Sequence, residues 1–376
     1  MGMCALFDED HLALRKAASE FADRVIKPVA ASVDRDDSFP RRELEELAGF
    51  GVFGLSLPAP HGYSRDLLSY VVTIEEISKR SASLGWLCVV QASCCYAVAA
   101  TAESGLKNRL LPQLVQGSKL VTYAFTEPGS GANLAYIDTN LANTGENYVL
   151  RGTKSFITMA GEADVFIVGA KAQTPQNPAA FTMVAVEKSL GGVKTGSRYT
   201  GSGLRGISWG EVVFEDHPVA SENLLGGVGG GFKTLGAMGK HVLLGAAAVS
   251  LGVAQAAYDS TIEHLRQRNV GGKPLGSNPV IQNTIADAKC KLDAARWLTY
   301  GAASDDDPRS TLHQEAKLYS TEAAVEITRV AVQLHGANGY TTALPVERYM
   351  RDSLAVTLHF DNNGLLRGFL GRSLVG

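Results

Sequence analysis

The periodicity of the chain changes at "LVTYAFTEPGSGAN" (residues 120–133). The first eight residues are rich in β-branched and aromatic side chains, and a Pro/Gly-rich turn follows them. Segments of the same kind recur, separated by Gly, Asn, Pro and Asp clusters, at 147–158, 164–171, 180–188 and 209–219. The stretch therefore marks the beginning of a compact β domain, which we expect to end near Leu224.

Upstream of this stretch, apolar residues recur at helical spacing. The pattern predicts one helix over 9–33, which Pro28 interrupts, and a capped helix with Ser38 and Pro40 at its start and Gly49 and Gly51 near its end. Further helices are predicted at 66–84, 87–100 and 105–114. The first third of the chain is thus expected to be all-α.

Downstream, the Gly-rich segment "LLGGVGGGF" (224–232) precedes a return to long helical segments. It follows no β-α-β unit, so we interpret it as a hinge or loop rather than a dinucleotide-binding turn. Helices are predicted at 232–268, 279–303, 310–335 and from about 345. The expected domains are therefore 1–119 (helical), 120–225 (β) and 226–376 (helical bundle), with a cleft where the β domain meets the helices.

Composition narrows the possible partners. Lys and Arg total 35 against 38 Asp and Glu, without long runs of one sign, so neither nucleic-acid nor membrane binding is expected. The apolar run 242–258 contains Ser250 and Gln255 and is rich in Gly and Ala, which favours a buried helix. The five Cys form no C-x-x-C pair, the N-terminal stretch is charged, and the His residues show no metal-ligand spacing. These features predict a cytoplasmic protein without a metal site.

Near the end of the chain, "AVTLHFDNNGLLRGF" (355–369) begins with apolar residues at helical spacing and breaks at Asp361-Asn362-Asn363-Gly364. Such a cluster opposes helix formation and marks either a plain loop or a site. By the residues alone, Asp361 is either a solvated turn residue or a reactive carboxylate.

Six short motifs follow one another along the chain: "AFTEPGSGAN" (124–133), "GTKSFITMAGEAD" (152–164), "GLRGISWGEVVFEDHPVASENLLG" (203–226), "SLGVAQAAYDSTIEHLRQR" (250–268), "HQEAKLYSTEAA" (313–324) and "VQLHGANGYTTALPVERYMRD" (332–352). In this order and at these intervals they resemble the acyl-CoA dehydrogenase family. The resemblance implies an N-terminal helical domain, a middle β-barrel domain and a C-terminal four-helix bundle. "HGANG" is similar to motifs of the family branch that acts on carrier-protein-bound extender units in specialised metabolism.

The resemblance also implies an activity. Family members use FAD to oxidise an acyl thioester, bound to CoA or to an acyl carrier protein, across its α and β carbons. They are usually homodimers or homotetramers. The redox partner would be an electron-transfer flavoprotein, a flavin reductase or oxygen.

Two motifs of the family hold the flavin ring. The first falls on Phe125, Thr126, Glu127, Pro128, Gly129 and Gly131, with Ala132 following, and the second falls on Phe156, Ile157 and Thr158. The resemblance implies that the two Thr hydroxyls and backbone amides hydrogen-bond the ring, while Phe156 packs against its edge.

The remaining cofactor contacts of the family come from a neighbouring subunit. Arg268 stands at the phosphate-binding position, and Gln333, Gly336 and Gly339 lie in the "QLHGANGY" word. Two departures weaken this part of the resemblance: Gly271 replaces the usual Phe, and Pro279 replaces the usual Gln.

The usual catalytic Glu is missing. Counted without gaps from Arg351-Asp352, its position is Phe360, and the alternative position in other branches is Val242. The Ser that contacts the substrate in this family is replaced by Ala132, and Asn133 follows it. The family's helix motif D-x-x-R is replaced by Lys240-His241-Val242-Leu243.

Three hypotheses follow from this absence. In the first, Asp361 acts as the base, one residue after the usual Glu position. In the second, the site performs flavin-dependent oxygenation in an apolar pocket formed by Phe360, Val242 and either His241 or His359. In the third, the protein binds flavin or an acyl carrier without turnover.

Overall fold

The computed structural model describes residues 6–131, 133–173, 177, 180–307 and 309–375. Helices come first, strands follow, and helices return. The two changes fall between Val115 and Val121 and between Leu225 and Gly231. The predicted fold class, mainly α with a central β domain, is confirmed.

Six α-helices occupy the described residues up to Val115: α1 (Glu9–Phe21), α2 (Ala30–Asp36), α3 (Arg41–Phe50), α4 (Leu67–Ser78), α5 (Ala82–Thr101) and α6 (Ser104–Val115). Nearly every residue of α4 and α5 is buried. These two helices therefore form the centre of the N-terminal part, and the others cover them.

The predicted helix over 9–33 is not continuous. α1 passes into a π-helical turn at Ala22–Ile26, and α2 begins only at Ala30, after Pro28. Because proline has no backbone N–H, it cannot continue the hydrogen-bond ladder of the helix.

Two other helix starts also differ from the prediction. Pro40, rather than Ser38, is the N-cap of α3, and the Ser81 hydroxyl caps α5, so the break lies before residue 82 rather than after 84.

The described residues of the β domain form eight strands: β1 (Val121–Ala124), β2 (Asn140–Asn143), β3 (Asn147–Ile157), β4 (Val165–Ala172), β5 (Ala180–Glu187), β6 (Val193–Arg198), β7 (Gly210–Ala220) and β8 (Leu224–Leu225). Their order in one sheet is β6-β7-β3-β2-β4-β5-β8, and β1 pairs in parallel with β4. Register shifts in the β3–β7 and β6–β7 pairs mark bulges, which increase the twist of a sheet. The polar strands β2 and β6 were not predicted.

The C-terminal part contains α7 (Gly231–Gln267), α8 (Pro279–Ala303), α9 (Leu312–His335), α10 (Val346–Val356) and α11 (Asn363–Val375). A short hairpin of β9 (Asn269–Val270) and β10 (Lys273–Pro274) joins α7 to α8. Helices α7 to α10 pack together as a bundle, and α11 lies on α9. The Gly-rich segment before α7 is a loop, as predicted, with Gly226, Gly227 and Gly229 at positive φ.

Small residues let α7 approach the N-terminal helices closely. A Cβ on Gly245 would lie 2.6 Å from the Tyr70 hydroxyl, and one on Gly252 would lie 2.5 Å from the Glu75 carbonyl oxygen. Both α5 and α7 are long and apolar enough to cross a membrane, yet 78% and 83% of their apolar windows are buried inside the fold. This burial agrees with the prediction of a core helix at 242–258.

A buried ion pair fixes the loop after β1. The Lys154 ammonium on β3 lies 2.7 Å from the Glu127 carboxylate and donates to the Phe125 carbonyl at 3.1 Å. Glu127 also accepts hydrogen bonds from the backbone N–H groups of Asp138 and Thr139 and from the Thr139 hydroxyl. Burial opposes ionisation of Glu127, but these donors lower its pKa below the usual carboxyl value. Burial also lowers the pKa of Lys154, to about 8.

We predict that Glu127→Ala lowers the free energy of unfolding by about 3–5 kcal/mol, because the fully buried Lys154 ammonium loses its carboxylate. Urea unfolding followed by circular dichroism measures the change. The control is Glu162→Ala, which breaks the more exposed Arg41–Glu162 pair and should cost at most about 1 kcal/mol. Equal losses in the two variants would contradict the assigned role of Glu127.

Candidate active site

A cavity of about 430 Å³ opens where the β domain meets α7 and the turn after α10. It is lined by Tyr123, Phe125, Thr126, Gly131, Leu134, Phe156, Ile157, Thr158, Trp209, Leu235, Leu358, His359, Phe360, Asp361 and Asn362. Six of the predicted flavin-site residues and the predicted base position thus share one cavity. Ala132 lies outside the described residues.

The two predicted flavin motifs form one wall. The Ser155 N–H donates to the Thr126 carbonyl at 2.9 Å, which joins the loop after β1 directly to β3. Gly131 has φ +56°, and a Cβ there would meet nothing within 4 Å, so the backbone is open to a ligand. The Thr158 hydroxyl accepts a hydrogen bond from the Trp209 indole N–H at 3.3 Å.

Phe156 has an unusual conformation for a large residue. Its φ is +56°, its side chain is 60% exposed, and its ring stacks on Tyr199 with centroids 4.6 Å apart. An exposed aromatic ring beside open backbone and two threonine hydroxyls suits a flat, polar ring system. The residues present therefore fit the isoalloxazine of FAD.

The opposite wall is the turn between α10 and α11, and a buried lysine holds it. Lys317 on α9 is 0% exposed, and its ammonium lies 2.8 Å from the Asp361 carbonyl, 2.8 Å from Asn363 Oδ1 and 3.4 Å from the Thr357 carbonyl. Burial lowers the pKa of Lys317 to about 8. Three oxygens spread over seven residues thus share one cation, which fixes the shape of the turn.

Phe360, at the position where the resemblance predicts a Glu, has φ +56°. This left-handed backbone costs roughly 1–2 kcal/mol at a non-glycine residue, so the contacts around the turn must maintain it. The Phe360 ring meets Tyr123 edge-on at 5.7 Å, and Tyr123 in turn stacks on Phe125 at 5.4 Å. The position therefore contributes an aromatic side chain to the cavity wall.

Asp361 is the one acid among the described residues that line this cavity. In the described part of the chain, no side chain forms an ion pair or hydrogen bond with its carboxylate; only its backbone carbonyl is bonded. The residue as a whole is exposed on the turn, yet burial of the carboxyl raises its pKa, and the Lys317 charge opposes that rise. The geometry is that of an unpaired carboxylate at a ligand cavity.

The His359 ring lies between the indoles of Trp86 and Trp209, at centroid distances of 4.4 Å and 4.9 Å. Burial, and secondly the Lys317 charge, lower its pKa to about 3, so its imidazole is neutral at pH 7.

His241 and Val242 do not line this cavity. The buried His241 ring contacts Tyr96 at 3.9 Å, and its Nε2 lies 2.9 Å from the Ser56 hydroxyl, in the wall of a separate cavity of about 350 Å³. Burial lowers the pKa of His241 to about 3. Val242 is fully buried. The structure thus separates these two residues from the site where the oxygenation hypothesis placed them.

The predicted phosphate-binding residues lie at the far ends of α7 and α9, outside the cavity. The two ends are adjacent, because His264 stacks on His335 at 4.3 Å. Arg268, Gln333 and Gly336 are exposed there. Gly339 is buried instead, and a Cβ on it would lie 2.6 Å from the Val332 carbonyl, so close packing alone requires a glycine.

Six cavity residues and one anchor were not assigned to the site from the sequence: Tyr123, Leu134, Trp209, Leu235, Leu358, Asn362 and Lys317. Tyr123 could have been found, because alternate residues of a strand share a face and Phe125 was already assigned. Lys317 gave no usable signal, since a lysine in a helical pattern is ordinarily solvated.

A larger groove of about 870 Å³ lies between the N-terminal helices and α10. Its charged side chains largely pair with one another, as Arg351 does with Asp34 at 2.7 Å and Arg80 with Asp23 at 2.6 Å. It therefore offers fewer free groups to a ligand than the smaller cavity.

Comparison with known proteins agrees with this fold. The N-terminal, middle and C-terminal domain models of acyl-CoA dehydrogenase match residues 8–118, 122–217 and 229–374. An acyl-CoA dehydrogenase of Bacillus subtilis is 31% identical over 98% of each chain. A caffeyl-CoA reductase-Etf complex subunit of Acetobacterium woodii is 33% identical over 94% of this chain and 95% of its own.

Among solved structures, butyryl-CoA dehydrogenase of Megasphaera elsdenii superposes with a TM-score of 0.94 at 29% identity, covering 98% of this chain and 99% of its own. The chain therefore belongs to the acyl-CoA dehydrogenase family of FAD-dependent oxidoreductases.

Proposed function

We propose that this protein oxidises an acyl thioester across its α and β carbons, with Asp361 as the base. The observation that carries the proposal is the unpaired Asp361 carboxylate in the wall of the cavity. FAD, when bound, accepts the hydride that leaves the β carbon. Phe125, Thr126, Gly131, Phe156, Ile157 and Thr158 would hold its ring.

Asp361 removes the α proton and holds it on its carboxylate. A pKa raised by burial makes this carboxylate a stronger base than a solvated one, which helps against a weak carbon acid. The aromatic side chains Tyr123, Phe125, Trp209 and Phe360 line the same cavity and make its wall largely apolar. Phe360 thus shapes the pocket, and the acid beside it carries the proton.

The thioester carrier is CoA or an acyl carrier protein. The name of the Acetobacterium relative supports an electron-transfer flavoprotein as the redox partner. Exposed Arg268, Gln333 and Gly336 would contact the cofactor phosphates of a second subunit in a homodimer or homotetramer. The cytoplasmic location remains a prediction from the sequence.

Flavin-dependent oxygenation is the second candidate. The aromatic Phe360 at the usual base position and the neutral His359 beside it favour this reaction, since both suit an apolar pocket. Anaerobic reduction of the flavin by an acyl thioester would separate the two candidates.

We predict that anaerobic addition of an acyl-CoA panel bleaches the visible band of the FAD-loaded protein and yields an enoyl thioester. Absorbance and mass spectrometry measure the two outcomes. Substrate-dependent oxygen uptake with an externally supplied reductase, without anaerobic bleaching, would favour oxygenation instead. A protein that cannot be loaded with FAD would contradict both candidates.

Asp361→Asn is predicted to slow flavin reduction by about 10² to 10⁴-fold, the usual contribution of a positioned base. In the unaltered protein the rate of flavin reduction should fall as the pH drops through the Asp361 pKa, which lies above the usual carboxyl value of 3.8. This decrease at acid pH should be absent in the variant. Stopped-flow absorbance across pH measures both. Asp287→Asn, at an exposed position on α8, is the control. Unchanged reduction in Asp361→Asn would remove Asp361 from the mechanism.

Lys317→Met is predicted to slow flavin reduction about tenfold or more, because the turn that carries Asp361 loses the cation that fixes it. Its effect should fall on the rate of reduction rather than on flavin content. The matched control is Lys289→Met, which removes an exposed ammonium paired with Asp293. A variant that reduces at the wild-type rate would show that the turn keeps its shape without the lysine.

A further inference from the structure

The Trp209 indole contacts one hydroxyl of the predicted flavin wall. Its N–H donates to the Thr158 hydroxyl oxygen at 3.3 Å, and both side chains line the main cavity. An indole nitrogen can donate a hydrogen bond but cannot accept one. Thr158 is therefore the acceptor in this pair.

Backbone hydrogen bonds keep the two side chains beside each other. The Met159 N–H, next to Thr158, donates to the Ile207 carbonyl at 2.9 Å. The Tyr199 N–H donates to the Trp209 carbonyl at 2.9 Å. The backbone is thus bonded on both sides of the contact, so the indole approaches the hydroxyl from one fixed direction.

The contact also determines where the Thr158 hydroxyl hydrogen can point. A hydroxyl has one hydrogen to donate and two lone pairs that accept. The indole occupies one lone pair, and in the described part of the chain no acceptor takes the hydrogen. Turning this hydrogen toward Trp209 would set two donors against each other and break the bond. The hydrogen is therefore left for an acceptor inside the cavity.

A fixed donor of this kind favours one oxidation state of a flavin over the other. Reduction adds electron density to the acceptor atoms of the flavin ring, so a hydrogen bond to such an atom becomes stronger. A donor that already points at the ring stabilises this charge without reorientation. A freely rotating hydroxyl would lose part of the effect, because it would have to be ordered first.

We propose that Trp209 is a positioning residue, whose indole N–H fixes the Thr158 hydroxyl as a donor to the flavin ring and thereby favours the reduced flavin. The inference rests on the proposed function, because it takes FAD to occupy the same cavity. Trp209 acts through Thr158 in this role, whereas Asp361 acts on the acyl group.

The test measures the midpoint potential of the protein-bound FAD by dye-equilibrated reduction, without any thioester. In Trp209→Phe, which keeps an aromatic ring but lacks the N–H, we expect the reduced form to lose about three- to tenfold in stability relative to the oxidised form. The potential should therefore fall by about 15–30 mV, since a tenfold change corresponds to about 30 mV for a two-electron couple. Thr158→Val should lower the potential at least as much, whereas Thr158→Ser keeps the hydroxyl and should stay near the wild-type potential.

A double-mutant comparison isolates the contact. In the Thr158→Val background, Trp209→Phe should cause no further shift, because the hydroxyl that the indole orients is gone. Trp297→Phe, at an exposed position on α8, should leave the potential unchanged. An indole with a purely structural role would change the free energy of unfolding and leave the potential as it is.

Three results would overturn the inference. One is an unchanged or higher potential in Trp209→Phe, or in Trp209→Leu, which also lacks the N–H and takes its place if the first variant does not fold. Another is an equal shift in the Thr158→Val background, which would assign the effect to the contact between the Trp209 and His359 rings. The third is a wild-type potential in Thr158→Val. Because no thioester is added, a flavin that acyl-CoA does not reduce would refute the proposed function and leave these potentials readable.

Discussion

The ion pair between Glu127 and Lys154 is the interaction on which the candidate site depends. It ties the loop after β1 to β3 inside the β domain, and the Ser155–Thr126 backbone hydrogen bond runs beside it. Two motifs about thirty residues apart thereby become a single surface. Since both residues are buried, removal of either leaves an uncompensated charge in the interior. The relative position of the two predicted flavin motifs is thus set by electrostatics as well as by sheet pairing.

A second buried lysine holds the opposite wall, but by a different principle. Lys154 faces a carboxylate, whereas Lys317 faces two backbone carbonyls and an amide oxygen. The pKa of each ammonium falls to about 8, since burial disfavours charge in both places. Because Lys317 uses neutral oxygens, it fixes the turn without neutralising the Asp361 carboxylate. That carboxylate remains free for a ligand.

The parts of the chain are locked together by buried polar contacts as well as by apolar packing. Arg296 on α8 binds Glu75 on α4 at 2.8 Å, and Tyr300 donates to the same carboxylate at 2.6 Å. Asp352, beside α10's Arg351, accepts the Leu204 N–H at 2.7 Å, and burial raises its pKa to about 6. These contacts hold the bundle against both other parts. A cavity at their junction can therefore keep a defined shape.

The sequence by itself determined the order of helices and strands and predicted the two flavin motifs, because periodicity and short motifs are local properties. It also predicts that Phe360 stands where the family usually has Glu. It missed β2 and β6, whose polar residues lack the strand pattern. It also placed the break between α4 and α5 too late in the chain, because the apolar pattern continues past Ser81, the N-cap of α5. Only the tertiary structure decided that Asp361 is unpaired, that Lys317 shapes its turn and that Tyr123 faces the same cavity. Each of these facts depends on contacts between residues far apart in the chain, and no local pattern encodes them.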